Sequence, residues 1–357
     1  MALGRERVIT RIAVGCLAAS LWMAGVSRAQ ENGLTFFGWS DQHVQVDGNG
    51  EHLIPAIDAM NALPGRAYPE AIGGVVDKPA FVFGAGDISE WPSRAALDAY
   101  DQLVTKRLKF PTYDIAGNHD LGGLSPNDTV TSWLIKRHGA LRYTFDKGGV
   151  RFIGLFSEYD EKLNNPAQPI SKDALQYLRE VLAKVPEGKP VIVATHLCFD
   201  SITNRDEFVD AFGKANVILV LGGHYHKATV HNFRGFNFVQ LPSPGPKSAN
   251  EFTVLRVTSD RLVAIPFNYK ENRWASEKQK ILDTKIKGPA NPAVEKEEPA
   301  RPMKWFVSSS PPQAYFLPDG NCIGADVNPM GGYRISVRPG GGLRSAFDQA
   351  VRSVTAA

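Results

Sequence analysis

The sequence is poor in cysteine. Its 357 residues include only Cys16, Cys198 and Cys322, too few for the disulfide framework that holds many small secreted domains together. If Cys16 is removed with an N-terminal segment, one bond between the other two is allowed in an oxidising compartment, although two unpaired cysteines are the simpler expectation. A hydrophobic core must therefore stabilise the fold, and 43 % of the residues are hydrophobic. The length predicts one large domain with an appendage.

The sequence also lacks an apolar run long enough to span a membrane. The N-terminal run Ile12–Val26 is shorter than the roughly 20 residues that a membrane-spanning helix needs. Three arginines precede it, and the small-x-small sequence Ser27-Arg28-Ala29 follows, an arrangement typical of a secretory signal peptide. We expect cleavage after Ala29 and a secreted or periplasmic mature protein without a stable membrane span. A retained N-terminal anchor is the alternative.

Neither sign of charge is in excess. The whole chain carries a formal charge of +3, and removal of residues 1–29 leaves 36 basic and 36 acidic residues. Without blocks of lysine or arginine there is no electrostatic footprint for nucleic acid, and we expect no binding to nucleic-acid duplexes. Internal repeats at the periods of solenoid proteins are absent as well. The sequence makes no prediction about the oligomeric state.

What the sequence does contain is five short polar blocks, each directly after an apolar stretch that predicts a buried strand. In chain order they are Asp41-Gln42-His43, Gly86-Asp87, Gly117-Asn118-His119-Asp120, Thr195-His196 and Gly222-Gly223-His224-Tyr225-His226. Ligands of open α/β sheets bind at the carboxyl ends of the strands, so the five blocks are expected to converge on one crevice. Gly117 and Asn118 both tolerate positive φ, and we expect the chain to turn there.

Each block taken alone has an ordinary structural explanation. His43 would be a surface histidine, Asp87 a turn or capping residue, and His196 a satisfied core histidine. Their joint occurrence favours a metal site, because carboxylates and imidazoles without thiolates suit Zn, Mn or Fe. The donors are too many for one four-coordinate ion, so we expect two ions about 3.5–4 Å apart, with Asp87 as the bridging carboxylate. The remaining histidines of the mature chain match no block and are interpreted as structural: His52, His138 and His231.

The periodicity predicts an α/β fold. Strands and helices alternate from Leu34 to Ile115, with helices at 53–63 and, capped by Ser93, at 93–109. A hairpin over 141–156 then makes the sheet mixed, and Ser171 caps another helix. Four alternating runs between 229 and 269 predict a second, antiparallel sheet. We therefore expect four layers, in which two packed mixed β-sheets are flanked by helices.

A proline-rich, charged stretch separates the C-terminal residues from this pattern. Residues 287–302 contain four prolines and the run Glu295-Lys296-Glu297-Glu298. We therefore predict a catalytic domain at 30–284, a linker at 285–303 and a small β-rich appendage at 304–357 that is closed by a helix from about Leu343. The sequence does not indicate what the appendage does.

The order of the five blocks resembles the pattern D-x-H, G-D, G-N-H-[DE], H and G-H-x-H of the calcineurin-like metallophosphoesterase superfamily. The resemblance covers about Leu34–Tyr269 and implies the fold of that superfamily, together with two divalent or mixed-valence ions (Mn, Fe or Zn). It implies the following roles: one ion is held by Asp41, His43 and His226, the other by Asn118, His196 and His224; Asp87 bridges them; His119 is the general acid, and Asp120 steadies it.

The implied reaction is hydrolysis of a phosphomonoester or phosphodiester by a metal-bridging hydroxide, with His119 supplying the proton to the leaving group. Two departures narrow the activity. Position 90 is Glu, where purple acid phosphatases have a tyrosine, and this difference disfavours a purple acid phosphatase. Residues 86–91 and Asp120 differ from the pattern of the protein serine/threonine phosphatases, and this difference disfavours that branch. We therefore expect a small-molecule, lipid, nucleotide or polymeric phosphoester as substrate. Trp91 is expected at the mouth of the pocket or as an ordinary core or rim residue.

Two other classes of protein remain as alternatives. The metallo-β-lactamase-like hydrolases use H-x-H-x-D-H, but Lys227, Ala228 and Thr229 follow the last block here, so their Asp-His pair is missing. A non-catalytic secreted metal-binding or scaffold protein of the same fold would show degenerate ligands, and none of the five blocks is degenerate.

Overall fold

A computed structural model of the protein describes residues 33–122, 127–160, 165–245 and 248–288, and the backbone of three strands at 314–316, 322–327 and 333–338. The predicted signal peptide, most of the predicted linker and the predicted C-terminal helix lie outside these residues. Within the described part, no helix combines the length and apolarity that crossing a membrane requires.

Sixteen strands and five α-helices make up the regular structure of the described residues. The strands are β1 (Leu34–Trp39), β2 (Val82–Gly84), β3 (Thr112–Asp114), β4 (Tyr143–Lys147), β5 (Val150–Gly154), β6 (Pro190–Ala194), β7 (Asn216–Gly222), β8 (Thr229–Phe233), β9 (Phe236–Gln240), β10 (Glu251–Val257), β11 (Arg261–Asn268), β12 (Arg273–Trp274), β13 (Leu282–Lys285), β14 (Ala314–Phe316), β15 (Cys322–Val327) and β16 (Tyr333–Arg338). The helices are α1 (Ile54–Ala62), α2 (Arg94–Gln102), α3 (Thr129–His138), α4 (Lys172–Leu182) and α5 (Arg205–Asp210).

The two large sheets are both mixed. The first has the order β12-β11-β10-β1-β2-β3 with β13 beside β11, and the second has the order β4-β5-β6-β7-β9-β8. Strands β1, β2 and β3 are parallel, and so are β5, β6, β7 and β9. The predicted polar blocks therefore follow the carboxyl ends of β1, β2 and β3 in one sheet and of β6 and β7 in the other.

The core has the layers that the sequence predicts. Successive residues of a strand point to opposite faces, so Phe36 joins an apolar cluster between the sheets while Phe37 joins another under α1, α2 and α3. Across the sheet interface, the ring of Phe152 packs edge-on against those of Phe36 and Phe81, at centroid distances of 5.3 and 5.1 Å. A third cluster lies under α4 and α5. Two mixed sheets flanked by helices confirm the predicted fold class.

Local capping chemistry sets the starts of two helices as predicted. The Ser93 hydroxyl accepts a hydrogen bond from the Ala96 amide at the start of α2, and the Ser171 hydroxyl accepts one from the Ala174 amide at the start of α4. Helix α2 continues as a single π-helical turn over Leu103–Arg107. Helices α3 and α5 were not predicted, because α3 has a weak apolar stripe and α5 is only six residues long.

One topological prediction is wrong. The four runs between 229 and 269 do not form a sheet of their own, since β8 and β9 extend the second sheet through parallel pairing of β9 with β7, whereas β10 and β11 extend the first through antiparallel pairing of β10 with β1. Alternating runs identify strands but not their partners. The central position of β10, between β1 and β11, explains why six of its seven residues are buried.

The chain remains paired beyond the predicted end of the catalytic domain. Strand β13 ends at Lys285 and pairs with β11, and the amides of Ile286 and Gly288 donate to the carbonyls of Asp260 and Ser259. Strands β14, β15 and β16 form a separate antiparallel sheet. The limits of the catalytic domain, the linker and the appendage stay a prediction.

Candidate metal centre

Five of the predicted ligands have backbone conformations that side-chain-bearing residues rarely adopt. The φ angles are 56° at Asp41, 46° at His43, 55° at Asp87, 77° at His224 and 59° at His226. A left-handed conformation costs about 1–2 kcal/mol for a residue with a Cβ, and such strain clusters at functional sites. The strand-end loops therefore use a strained backbone to aim these side chains into the crevice.

The predicted turn at Gly117 and Asn118 has a different basis. Asn118 has a helical φ of −70° and Gly117 is not among the residues with positive φ, so the turn does not use the positive φ that both residues tolerate. Glycine is needed because a Cβ at position 117 would lie 2.1 Å from Asp87 Oδ1. The loops after β2 and β3 thus approach too closely for any side chain there.

The first group of donors combines Asp41, His43 and His226. Nε2 of His226 lies 3.3 Å from Asp41 Oδ1 and 3.2 Å from Nε2 of His43. Nε2 of His43 is 3.9 Å from Asp41 Oδ1. These are the three residues that the family pattern assigns to one ion, and they come from the ends of β1 and β7.

The second group combines Asn118, His196 and His224. Oδ1 of Asn118 lies 3.0 Å from both Nε2 of His196 and Nδ1 of His224, and these two nitrogens are 3.2 Å apart. His196 Nδ1 lies 2.8 Å from the Ala85 carbonyl, which can only accept, so that nitrogen carries a proton and Nε2 is the nitrogen directed at the centre. The hydrogen bond to the Ala85 carbonyl, on the side of the ring away from the other donors, therefore fixes the orientation of the His196 ring.

Asp87 lies between the two groups. Its Oδ2 is 3.3 Å from His196 Nε2 and 3.9 Å from His43 Nε2, and its Oδ1 accepts a hydrogen bond from the His119 amide. Burial by itself would raise the pKa of Asp87, but the imidazoles of His196, His119 and His43 together outweigh burial and lower that pKa below its usual range. The carboxylate is therefore ionised at the position expected of a bridging ligand.

The pKa values of the histidines reflect a balance between burial, which disfavours positive charge, and the carboxylates, which favour it. Burial alone would lower the pKa of His196, yet Asp87 raises it to about 10. A hydrogen bond with Asp41 raises the pKa of His226. By contrast, burial outweighs the carboxylates at His43 and lowers its pKa, and burial together with His196 lowers the pKa of His224 to about 4.

These donors fit a pair of divalent ions. Ligand atoms about 2.0–2.2 Å from a shared tetrahedral ion lie roughly 3.3–3.6 Å from one another. The separations of 3.0–3.9 Å within the two groups bracket that spacing. Imidazole nitrogens 3.2 Å apart repel each other unless a proton or a cation lies between them. All seven predicted ligands are brought together, and no cysteine belongs to the donor groups that the described residues form. The buried Cys198 thiol is free.

The imidazole of His119 is fixed by two contacts that the sequence did not indicate. Its Nδ1 lies 2.7 Å from the Glu90 carbonyl, so this nitrogen donates and Nε2 faces away. The Trp91 ring stacks on it with centroids 4.5 Å apart, while His43 meets it edge-on at 4.7 Å. Trp91 is 40 % exposed, which places it at the rim of the crevice. In the sequence, position 90 stands out only by lacking the tyrosine of purple acid phosphatases.

The structure gives Asp120 a different task from the predicted one of steadying His119. The buried Asp120 carboxylate accepts hydrogen bonds from the amides of Ile88, Ser89 and Gly117, which ties the loop after β2 to the loop after β3. Burial, and then the charge of Asp87, raises the pKa of Asp120 to about 6. The Glu90 carbonyl, not Asp120, holds the His119 ring.

Three histidines interpreted as structural have partners outside the two donor groups. Nε2 of His52 lies 2.6 Å from the Gln42 carbonyl, Nε2 of His138 accepts from the Asp114 amide, and Nε2 of His231 lies 3.4 Å from Asp200. A cavity of about 730 Å³ opens beside the centre. Its lining includes His224, His226, Lys227, Ser248 and Lys280.

Comparison with known proteins places this fold and site in a family. The model of the calcineurin-like phosphoesterases matches residues 41–228, which is more than half of the chain. The serine/threonine-protein phosphatase CPPED1 of Homo sapiens is 27 % identical over 221 residues, 54 % of this chain and 69 % of that protein. The Mus musculus protein is 23 % identical over 223 residues, with the same coverage.

A solved structure agrees in fold. A dimetal phosphatase from Danio rerio superposes with a TM-score of 0.51 at 16 % identity and covers 71 % of this chain and 99 % of its own. The family match, the fold and the two converging donor groups lead to one conclusion. The chain belongs to the calcineurin-like phosphoesterase family and is a metal-dependent phosphoesterase.

Proposed function

We propose that this protein hydrolyses a phosphomonoester or phosphodiester of a small molecule at a dinuclear centre of Mn, Fe or Zn held by the seven strand-end ligands. The observation that carries the proposal is the position of Asp87, whose carboxylate lies within 4 Å of His43 on one side and of His196 on the other. A single carboxylate in that position would serve two ions.

The residues divide the work of the reaction. When bound, two divalent ions supply Lewis acidity, which polarises the phosphoryl group and lowers the pKa of water. Asp41, His43 and His226 would hold one ion, Asn118, His196 and His224 would hold the other, and Asp87 would contact both. His119 donates a proton to the departing oxygen from Nε2, because Nδ1 is bound to the Glu90 carbonyl. Trp91 restricts rotation of that ring by stacking on it.

The cavity beside the centre supports a small substrate. Its volume of about 730 Å³ is within the range typical of small-molecule sites, and His224 and His226 form part of its wall. A phosphoester bound at the ions would extend into this space. A phosphoserine or phosphothreonine protein is the second candidate, supported by the name of the CPPED1 relatives.

A substrate screen tests both candidates. Protein reconstituted separately with Mn, Zn and Fe is assayed against phosphomonoesters, cyclic and linear diesters, nucleotides, phospholipids and a phosphoserine peptide, with Asp87→Asn as the control for contaminating phosphatases. We expect a small ester to exceed the peptide at least tenfold in kcat/KM. The reverse order would favour the phosphoprotein candidate. Two bound ions without any turnover would identify a non-catalytic metal-binding protein.

Export is a separate proposal that rests on the N-terminal sequence. Removal of residues 1–29 would give a secreted or periplasmic protein that begins at Gln30. N-terminal sequencing of the protein recovered from the extracellular or periplasmic fraction tests this. An intact N-terminus in the membrane fraction would support a retained anchor, and recovery only from the cytoplasm would contradict export.

A further inference from the structure

One residue outside the family pattern contacts two members of the centre. The carboxylate of Glu90 lies 3.0 Å from Nδ1 of His43, and the backbone carbonyl of the same residue lies 2.7 Å from Nδ1 of His119. Glu90 follows Asp87 by three residues, so the loop after β2 supplies both the bridging carboxylate and these two contacts. The side chain of Glu90 is 38 % exposed, whereas that of His43 is 10 % exposed.

The contact with His43 determines which ring nitrogen is directed at the centre. The Glu90 carboxylate oxygen and Nδ1 of His43 are close enough for a charge interaction but are not aligned as a hydrogen bond. A negative charge beside Nδ1 still favours the tautomer with its proton on Nδ1 and leaves the lone pair on Nε2. Nε2 is the atom that faces Asp41, Asp87 and His226, at 3.9, 3.9 and 3.2 Å. The Glu90 carboxylate thus lies behind a predicted ligand, in the place where metal sites keep the partner that orients an imidazole and raises its basicity.

We propose that Glu90 is a positioning residue for the centre, which orients His43 towards its ion through the side chain and His119 towards the substrate through the main chain. The proposal rests on the proposed dinuclear centre. It assigns separable effects to the two contacts, because substitution of the side chain removes the first and leaves the second in place.

The test measures ion binding and leaving-group dependence in the full chain with Glu90→Ala, Glu90→Gln and Glu90→Asp. Binding of Mn is titrated for each variant, and rates are measured with an alkyl and a nitrophenyl phosphoester. Loss of such a partner typically weakens metal binding about 10–100-fold, so Glu90→Ala should lose that much affinity for one ion of the two. Glu90→Gln, which keeps an acceptor oxygen, should retain more affinity than Glu90→Ala.

The ratio of alkyl to nitrophenyl rates should stay at the wild-type value in all three variants, because the carbonyl that holds His119 is retained. The matched control is Glu70→Gln, which removes the same charge from an exposed position and should bind both ions like the wild type. Equal loss of both ions, or a changed rate ratio, would make Glu90 a general structural support. Loss of one of three bound ions would make it a metal ligand, since Glu90 also forms a donor group with His43 and His119. If the wild type binds fewer than two ions, the dinuclear centre itself fails.

Discussion

At the scale of single residues, this centre is organised by backbone strain and close packing. Five ligands keep a left-handed backbone at a cost of about 1–2 kcal/mol each, and the surrounding core must offset that cost. Their loops contact one another directly, for example where the His224 amide donates to Asp41 Oδ2 over 2.9 Å. Single substitutions at these residues should therefore change metal content or reaction rate in ways that distinguish a ligand from a proton donor.

The role of His119 is tested by the leaving group. His119→Ala should leave both ions bound and lower the rate for alkyl phosphoesters by about 10²–10⁴, because general acid catalysis contributes that much when the leaving group is poor. Nitrophenolate departs without much help, so nitrophenyl esters should lose far less. Kinetics with both esters, next to metal analysis, checks this, with His231→Ala as a histidine control outside the site. A uniform loss with one missing ion would show that His119 is a ligand or a support.

The role of Asp87 is tested by metal content. Asp87→Ala should lose activity and most of both ions, because this carboxylate is the one protein group placed to serve both donor groups among the described residues. Elemental analysis of the purified variant measures the ions per chain. Two ions per chain in this variant would contradict the bridging role.

At the scale of elements, the loops after β2 and β3 pack directly against each other at Gly117. Gly117→Ala places a Cβ 2.1 Å from Asp87 Oδ1, so it should displace that carboxylate and reduce both metal content and activity. The control is Gly235→Ala, where nothing lies within 4 Å of the added Cβ but φ is +88°. The control should lose only about 1–2 kcal/mol of stability from strain, with normal metal content. Wild-type metal content in Gly117→Ala would refute the close approach.

At the scale of the whole molecule, the catalytic unit should not need the C-terminal residues. Every predicted ligand precedes β8, and pairing in the first sheet ends with β13 and residues up to Gly288. A chain that stops after Gly288 should therefore stay soluble and bind its ions. A chain that stops after Ile281 loses β13 and the buried Leu282, and should have a lower Tm. Insolubility of the longer truncation would make the appendage part of the core.

The acid stability of the whole protein should depend on His138, which belongs to neither donor group. Burial, and then the charge of Arg137, lowers the pKa of His138 to about 3, whereas the unfolded pKa is about 6.5. The neutral ring therefore stabilises the fold above pH 6.5, and this stability is lost as the pH falls from about 6.5 towards 3. Between pH 6.5 and 5 the loss is about 1–2 kcal/mol.

His138→Gln should remove most of this pH dependence. Urea unfolding at pH 6.5 and 5 measures it for both proteins, and His52→Gln serves as the histidine control. An equal loss of stability in the wild type and in His138→Gln would show that other groups cause the acid sensitivity.

The sequence alone determined much of the fold and nearly all of the candidate centre. Ser93 and Ser171 cap their helices by contacts within three residues, and apolar alternation locates strands, so both are readable along the chain. The seven predicted ligands were also readable, because the parallel strands of each sheet bring their carboxyl ends to one edge of that sheet whatever the details of the loops.

Only the tertiary structure decided what depends on contacts between distant residues. The partners of β8 to β11 follow from which sheet edge is open, not from their own patterns. Likewise, the Asp120 carboxylate binds amides of another loop and not His119. Glu90 contacts two different imidazoles, His43 through its carboxylate and His119 through its carbonyl, because of the way its loop turns. Local residue chemistry names the groups that can act, while the packing of loops on two sheets decides which of them meet.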